Sequence, residues 1–183
     1  MLLLILLILY FDFYGVSSVT PDVKTALDKY GPFKVKVTEV SLCKGPKLQN
    51  GTENTLSFDT DMENITYQIN MKTKTKVDKV KITVWKSKLD SPLQKRPDVY
   101  YRINNPCQHF FVAPVLRNYY RVKDEKKCEI EKGMHIFSMN IQSLVYQFAG
   151  VKFFYGKYGV QYLMTGPHTN LICTHAVMDI YGA

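Results

Sequence analysis

The chain has 183 residues, of which 46% are hydrophobic, 13% aromatic and 22% charged, with ten glycines, eight prolines and four cysteines. Those proportions exclude a collagen-like or low-complexity chain, exclude a disulfide-dominated mini-protein, and give enough apolar surface for one domain with a proper core. A net charge of +8 makes it basic but names no chemistry.

Leu2 through Phe11 carry no charge, a run too short for a bilayer, which needs about 20 apolar residues, but long enough for the core of a signal peptide. Val16-Ser17-Ser18 supplies small residues for cleavage. The expectation is a signal peptide at 1–18, an N-terminal extension at 19–31, a β-domain at 32–183, and an extracellular, secreted product. Removing Asp12 with the leader leaves 24 basic against 15 acidic side chains, or +9.

Phe33 to Val37 alternates apolar and cationic residues and reads as a half-buried strand. The alternation slips by one at Glu39 before Val40 and Leu42 resume it, as either a β-bulge or a strand end would require. Lys44 to Asn54 is turn-rich. Tyr67, Ile69 and Met71, and then Val80, Ile82 and Val84, alternate with polar residues as two further strands. Met134 to Ile141, Val160 to Met164 and Leu171 to Ile180 supply at least three more. Cys107 to Lys123 has apolar spacing nearer a helical face, but Pro114 inside it favours a short helix or an irregular segment. The fold class expected is all-β, an antiparallel sandwich with one such segment.

In an oxidising compartment Cys43, Cys107, Cys128 and Cys173 read as two disulfides. Three pairings are formally possible. Chain position favours Cys107 with Cys128, and Cys43 near the first strand with Cys173 in the last. Asn50 and Asn64 each head an N-x-T triplet, expected on the surface as glycosylation sites.

The lysines between Lys72 and Lys88 form either an electropositive face for anionic head groups or the solvated side of a strand, the second reading being the simpler. Nucleic acid is a poor partner, since no binding motif is present. His109, His135, His168 and His175 lie apart, without a metal-protease, nucleophile-elbow, phosphate-loop or EF-hand pattern. Asp59 and Asp61 fit turn chemistry better than acid–base work. The expectation is a non-enzymatic protein with neither metal nor cofactor.

Three short runs resemble the ML lipid-recognition superfamily, in its ganglioside-activator type and related insect secreted proteins: CEIEKG from Cys128 to Gly133, FFYGKY from Phe153 to Tyr158, and LIC from Leu171 to Cys173. Glu129 stands where that pattern has proline. The resemblance spans about residues 32–181 and implies an immunoglobulin-like β-sandwich whose sheets splay into an apolar cup for acyl chains, sterols or related amphiphiles. On that reading Trp85, Phe110, Phe111, Phe137, Met139, Phe153, Phe154, Tyr155 and Met164 line the cavity or its rim, with Phe153 to Tyr158 and Lys157 available for transient contact with a membrane surface. The same residue types also build a filled core. The leading function is therefore a secreted carrier, presenter or chemosensory accessory for a lipid or other hydrophobic small molecule. The alternatives are a non-enzymatic extracellular protein-interaction module or co-receptor with a solid core, or a cationic protein recognising microbial surfaces.

Overall fold

The structure is a computed structural model that describes residues 30–59 and 63–183. The expected leader, nearly all of the expected extension, and Asp61 lie outside them. In chain order the strands are β1 (Tyr30–Leu42), β2 (Gln49–Asn50), β3 (Thr52–Phe58), β4 (Asn64–Met71), β5 (Thr75–Lys76), β6 (Lys79–Ser87), β7 (Val99–Ile103), β8 (Glu129–Ile130), β9 (Gly133–Asn140), β10 (Lys152–Phe154), β11 (Gly156–Thr165) and β12 (Thr169–Gly182). A 3-10 turn spans Pro106–Gln108, and two helices, α1 (Val112–Tyr120) and α2 (Ile141–Ala149), complete the set.

The larger sheet runs β10-β1-β12-β11-β6-β7, antiparallel throughout, with β2 added parallel to the start of β12. The second sheet is β3-β4-β9, and β5 pairs with β8. Together they make the mostly antiparallel β-sandwich expected, curled as a half-barrel.

Local pattern explains most of this. In β1, Phe33 and Val37 are buried while Lys34 and Lys36 are exposed. The slip at Glu39 is a bulge: Val37 pairs with Met178 and Glu39 with Val177, which leaves Thr38 unmatched. Thr38 and Glu39 both face solvent, so Val37 and Val40 both join one apolar cluster beneath.

Three expectations are corrected. The turn-rich stretch ending at Asn54 contains β2 and the first residues of β3, an edge strand too polar to announce itself. The described residues hold two helices rather than one: the strand through Met134 ends at Asn140, whose side chain caps α2 by accepting from Ser143 N–H at 2.9 Å. Pro114 breaks nothing, because it is the third residue of α1, where the N–H it lacks would have no intrahelical acceptor.

Two disulfides, Cys43–Cys173 and Cys107–Cys128, join the pairs that chain position favoured. The main core gathers Tyr67, Ile69 and Met71 from β4 with Val80, Met164, Leu171 and Ile172 from the larger sheet, under Leu116 of α1. A second cluster centres on Phe33, Val84, Tyr158 and Ile180, and a third on Val37, Ile65 and Ile141.

Candidate ligand-binding interior

The side chains of the larger sheet that face the second sheet stand in rows fixed by strand register. In one row Ile172, Met164, Val80 and Ile103 are closed, at 2%, 0%, 0% and 5% exposure. In the next, Thr174, Tyr162, Ile82 and Tyr101 are all half-buried. In the row after that Ala176, Val160 and Val99 are half-buried and only Val84 is closed. Across from them, Leu56 and Phe137 of the second sheet are half-buried too. Inner-face residues of central strands retain surface only where the facing layer does not fit tightly against them.

Three phenols meet at this level, one each from β4, α1 and β11. Tyr67 stacks on Phe137, ring centroids 5.5 Å apart with planes at 13°, and Tyr120 meets the same Phe137 edge-on at 5.4 Å. Burial pushes the Tyr67 hydroxyl up to about 12 and those of Tyr120 and Tyr162 well above the ordinary tyrosine range, with the neighbouring phenols adding to the effect on both. Their hydrogen bonding is poor. Tyr162 Oη reaches only Met164 Sδ, at 3.9 Å. Tyr67 Oη is shielded from solvent without a hydrogen bond in good geometry, although the Thr174 hydroxyl lies close enough to favour its ionised form slightly.

Of the residues singled out from the sequence, Phe137 and Met139 face this interior from β9. Phe153 packs on Phe33 at 6.0 Å and Tyr158 at 5.6 Å, in the second apolar cluster, which Tyr155 also joins while its hydroxyl donates to Pro32 O at 2.9 Å. Phe154 meets Tyr30 at 4.8 Å, and the Lys86 ammonium stands 5.1 Å from its ring. Met164 sits in the closed row. Phe110 is exposed and lies against Phe111 and His109, beside the edge strand β7, where Tyr101 Oη and His109 Nε2 share a 3.0 Å hydrogen bond. Desolvation holds His109 below its usual pKa. Trp85 follows Val84 and so lies on the opposite, outer face, against His175 at 5.8 Å. Leu93 covers the sheet beside it, approaching Gly159 so closely that a Cβ there would meet Leu93 Cδ1 at 2.6 Å. The structure thus brings Phe137, Met139, Phe153 and Tyr155 inward, keeps Trp85 outside, and adds Tyr67, Tyr120 and Tyr162, which their size alone did not mark.

A separate polar depression of about 120 Å³ lies beside Cys107–Cys128, between Lys76, Asp78, Asn104 and Glu125. It is well below the roughly 300 Å³ at which small-molecule sites begin. Among the described residues no group of three or more His, Cys, Asp or Glu side chains stands where it could hold a metal ion. Three of the seven lysines in the cluster are ion-paired: Lys72 with Glu53 at 3.2 Å, Lys79 with Asp78 at 3.2 Å, and Lys74 with Glu129 and Glu131 at 3.1 and 3.0 Å. Asn50 and Asn64 are both exposed, Asn50 Oδ1 accepting from Asn170 Nδ2 at 3.0 Å and Asn64 Nδ2 donating to Asp59 Oδ2 at 2.6 Å.

No family model matches this chain, and no curated protein matches it. Among solved structures, a Niemann-Pick type C2 protein from the Japanese carpenter ant is similar at 10% identity and a TM-score of 0.29, over 80% of this chain and 92% of that one.

Proposed function

We propose that this chain is a secreted, non-enzymatic binding protein of ML type that holds a lipid or other hydrophobic small molecule between its two sheets. The observation that carries the reading is the half-buried inner row from Thr174 to Tyr101, with the row from Ala176 to Val99 beyond it half-buried at all but Val84, directly beside a row that is closed. A solid sandwich would be tightest where its central strands lie, whereas a half-barrel that accepts a hydrocarbon is loosest there. Each methylene transferred from water into such a space contributes about 0.8 kcal/mol, so a single acyl chain suffices for binding once ordering costs are met.

On this reading residues 1–18 are a leader, 19–31 an extension, and 32–183 the binding domain. Phe137, Met139, Phe153 and Tyr155 line the interior, while Phe154 with Tyr30 and Lys86 forms a rim suited to transient contact with a membrane during loading. Asn50 and Asn64 are glycosylated. The two disulfides suit an oxidising compartment.

The test is native mass spectrometry of the secreted, deglycosylated protein, with extraction and identification of what is bound. A stoichiometric adduct lost on denaturation is the expected result. A clean mass that stays unchanged through challenge with fatty acids, sterols and glycolipids would overturn the proposal and turn attention to an extracellular protein partner.

A further inference from the structure

We propose that the bound molecule has an uncharged hydrogen-bonding end, a hydroxyl, ester or amide, and that this end points inward to the phenols of Tyr67, Tyr120 and Tyr162, with the hydrocarbon running past Val160 toward Phe153. The inference rests on the ligand-binding reading above and specifies the ligand and its orientation.

Two of these hydroxyls are poorly satisfied. Tyr67 Oη makes no good hydrogen bond, and Tyr162 Oη has only a thioether sulfur at 3.9 Å. No hydrogen bond links the Tyr120 hydroxyl to any described residue. A protein rarely leaves buried hydroxyls in this state, because each forfeits its hydrogen bonds to water without replacement. Two such groups, brought by the two sheets to one level of the interior with the Tyr120 phenol beside them, are explained together if a polar group from outside completes them.

The chemistry of the surroundings selects the group. A phenol both donates and accepts, so the cluster can serve a hydroxyl, an ester or an amide. The apolar residues packed around it, including Ile69, Leu116, Phe137 and Met164, offer no counter-ion, and the buried His135, two residues from Phe137 on β9, has its Nε2 engaged with Glu131 O at 2.9 Å, so a carboxylate or phosphate placed among them would be poorly compensated. The cation nearest in kind to an anchor is Lys86, but it stands over the Phe154 and Tyr158 rings in the other cluster. Beyond the phenols the surface is hydrocarbon, with Val160, Val145, Met178 and Phe153 partly buried around the second cluster.

The experiment compares three probes of equal chain length, tetradecanol, tetradecane and tetradecanoate, by displacement of a polarity-sensitive fluorophore from the delipidated full chain at neutral pH. The alcohol should bind roughly three- to tenfold more tightly than either of the others. In the double variant Tyr67→Phe/Tyr162→Phe the ratio of alcohol to alkane affinity should fall toward one, whereas Tyr100→Phe, at an exposed site on β7, should leave it as it was. A melting temperature for each variant confirms that the fold is retained. Equal affinity for alcohol and alkane, tighter binding of the carboxylate, or a ratio that survives in the double variant would overturn the inward polar end while leaving a ligand-binding protein. Failure of all three probes to displace the fluorophore would instead remove the ligand-binding reading itself.

Discussion

Val35 on β1 donates its backbone N–H to Gln142 Oε1 of α2 at 2.6 Å. Among the described residues β1 has a strand partner on that side only at Tyr30–Pro32, where β10 pairs with it. Beyond Pro32 the helix takes over: Gln142 Nε2 and Tyr146 Oη both donate to Phe33 O, at 3.4 and 3.0 Å. Side chains of α2 therefore occupy an edge that would otherwise present free backbone groups to another chain.

Replacing Gln142 by leucine keeps the bulk and removes both partners, leaving the Val35 N–H unmatched at a partly buried position. The expected loss is about 1–2 kcal/mol, read as a lower denaturant midpoint with an unchanged slope. A variant as stable as the parent would mean that water replaces the amide without cost.

Two valines of the same sheet test how well the interior is filled. Val80 is fully closed and Val160 half-buried, each facing the second sheet. Val80→Ala should cost roughly 1.5–3 kcal/mol, and Val160→Ala less than half of that, because its side chain already borders surface. Equal losses in chemical denaturation would show that both rows are packed alike.

The buried phenols set the response to alkali. Tyr67 titrates at about 12 in the folded state against 10.0 ordinarily, and Tyr120 and Tyr162 are raised as well. Above pH 10 the unfolded chain loses these protons first, so it binds fewer than the native state and stability falls as pH rises. Below the ordinary tyrosine pKa the contribution is fully present. Between pH 10 and 12 Tyr67 alone should remove on the order of 2–3 kcal/mol. Denaturation midpoints measured across pH 9–11 should be flat at first and then drop, and Tyr67→Phe should soften the drop. A flat profile throughout would contradict the burial assigned to these rings.

The disulfides should differ in weight. Cys43–Cys173 closes a sequence separation of 130 and Cys107–Cys128 one of 21. By the chain-entropy argument their removal costs about 5 and about 3 kcal/mol respectively. The paired serine variants should melt in that order, and the reverse order would indicate that local packing around Cys107 matters more than loop closure.

Much of the architecture could be read from alternation, because strands with one buried face declare it: Phe33 to Val37, Tyr67 to Met71 and Val80 to Val84 all lie where their pattern puts them. The helix α2 was readable too, from Asn140 as a cap and from the spacing of Ile141, Leu144 and Val145, but the apolar run through Met134 to Ile141 absorbed its first residue into a strand. β3 gave little signal, since Thr52 and Asn54 are held by hydrogen bonds to Leu171 O rather than by apolar packing. Trp85 shows the limit of reasoning from size, for its parity with Val84 already placed it on the outer face. The phenol cluster was not readable at all. It depends on the meeting of β4, β11 and α1, which no local pattern encodes.

The bulge in β1 makes one position of the strand expendable. Thr38 is the residue without a partner across the ladder, held by its own hydroxyl to Val177 O at 3.1 Å. Deleting it would leave Val37 and Glu39 opposite Met178 and Val177 in unbroken sequence, with every inward side chain still inward. Deleting Glu39 instead lets Thr38 take its place opposite Val177, whereas removing a residue outside this pair, such as Val35, would turn part of the strand over and drive a lysine toward the interior. Within thirteen residues, changes of chain length over evolutionary time are therefore silent only at the Thr38–Glu39 bulge.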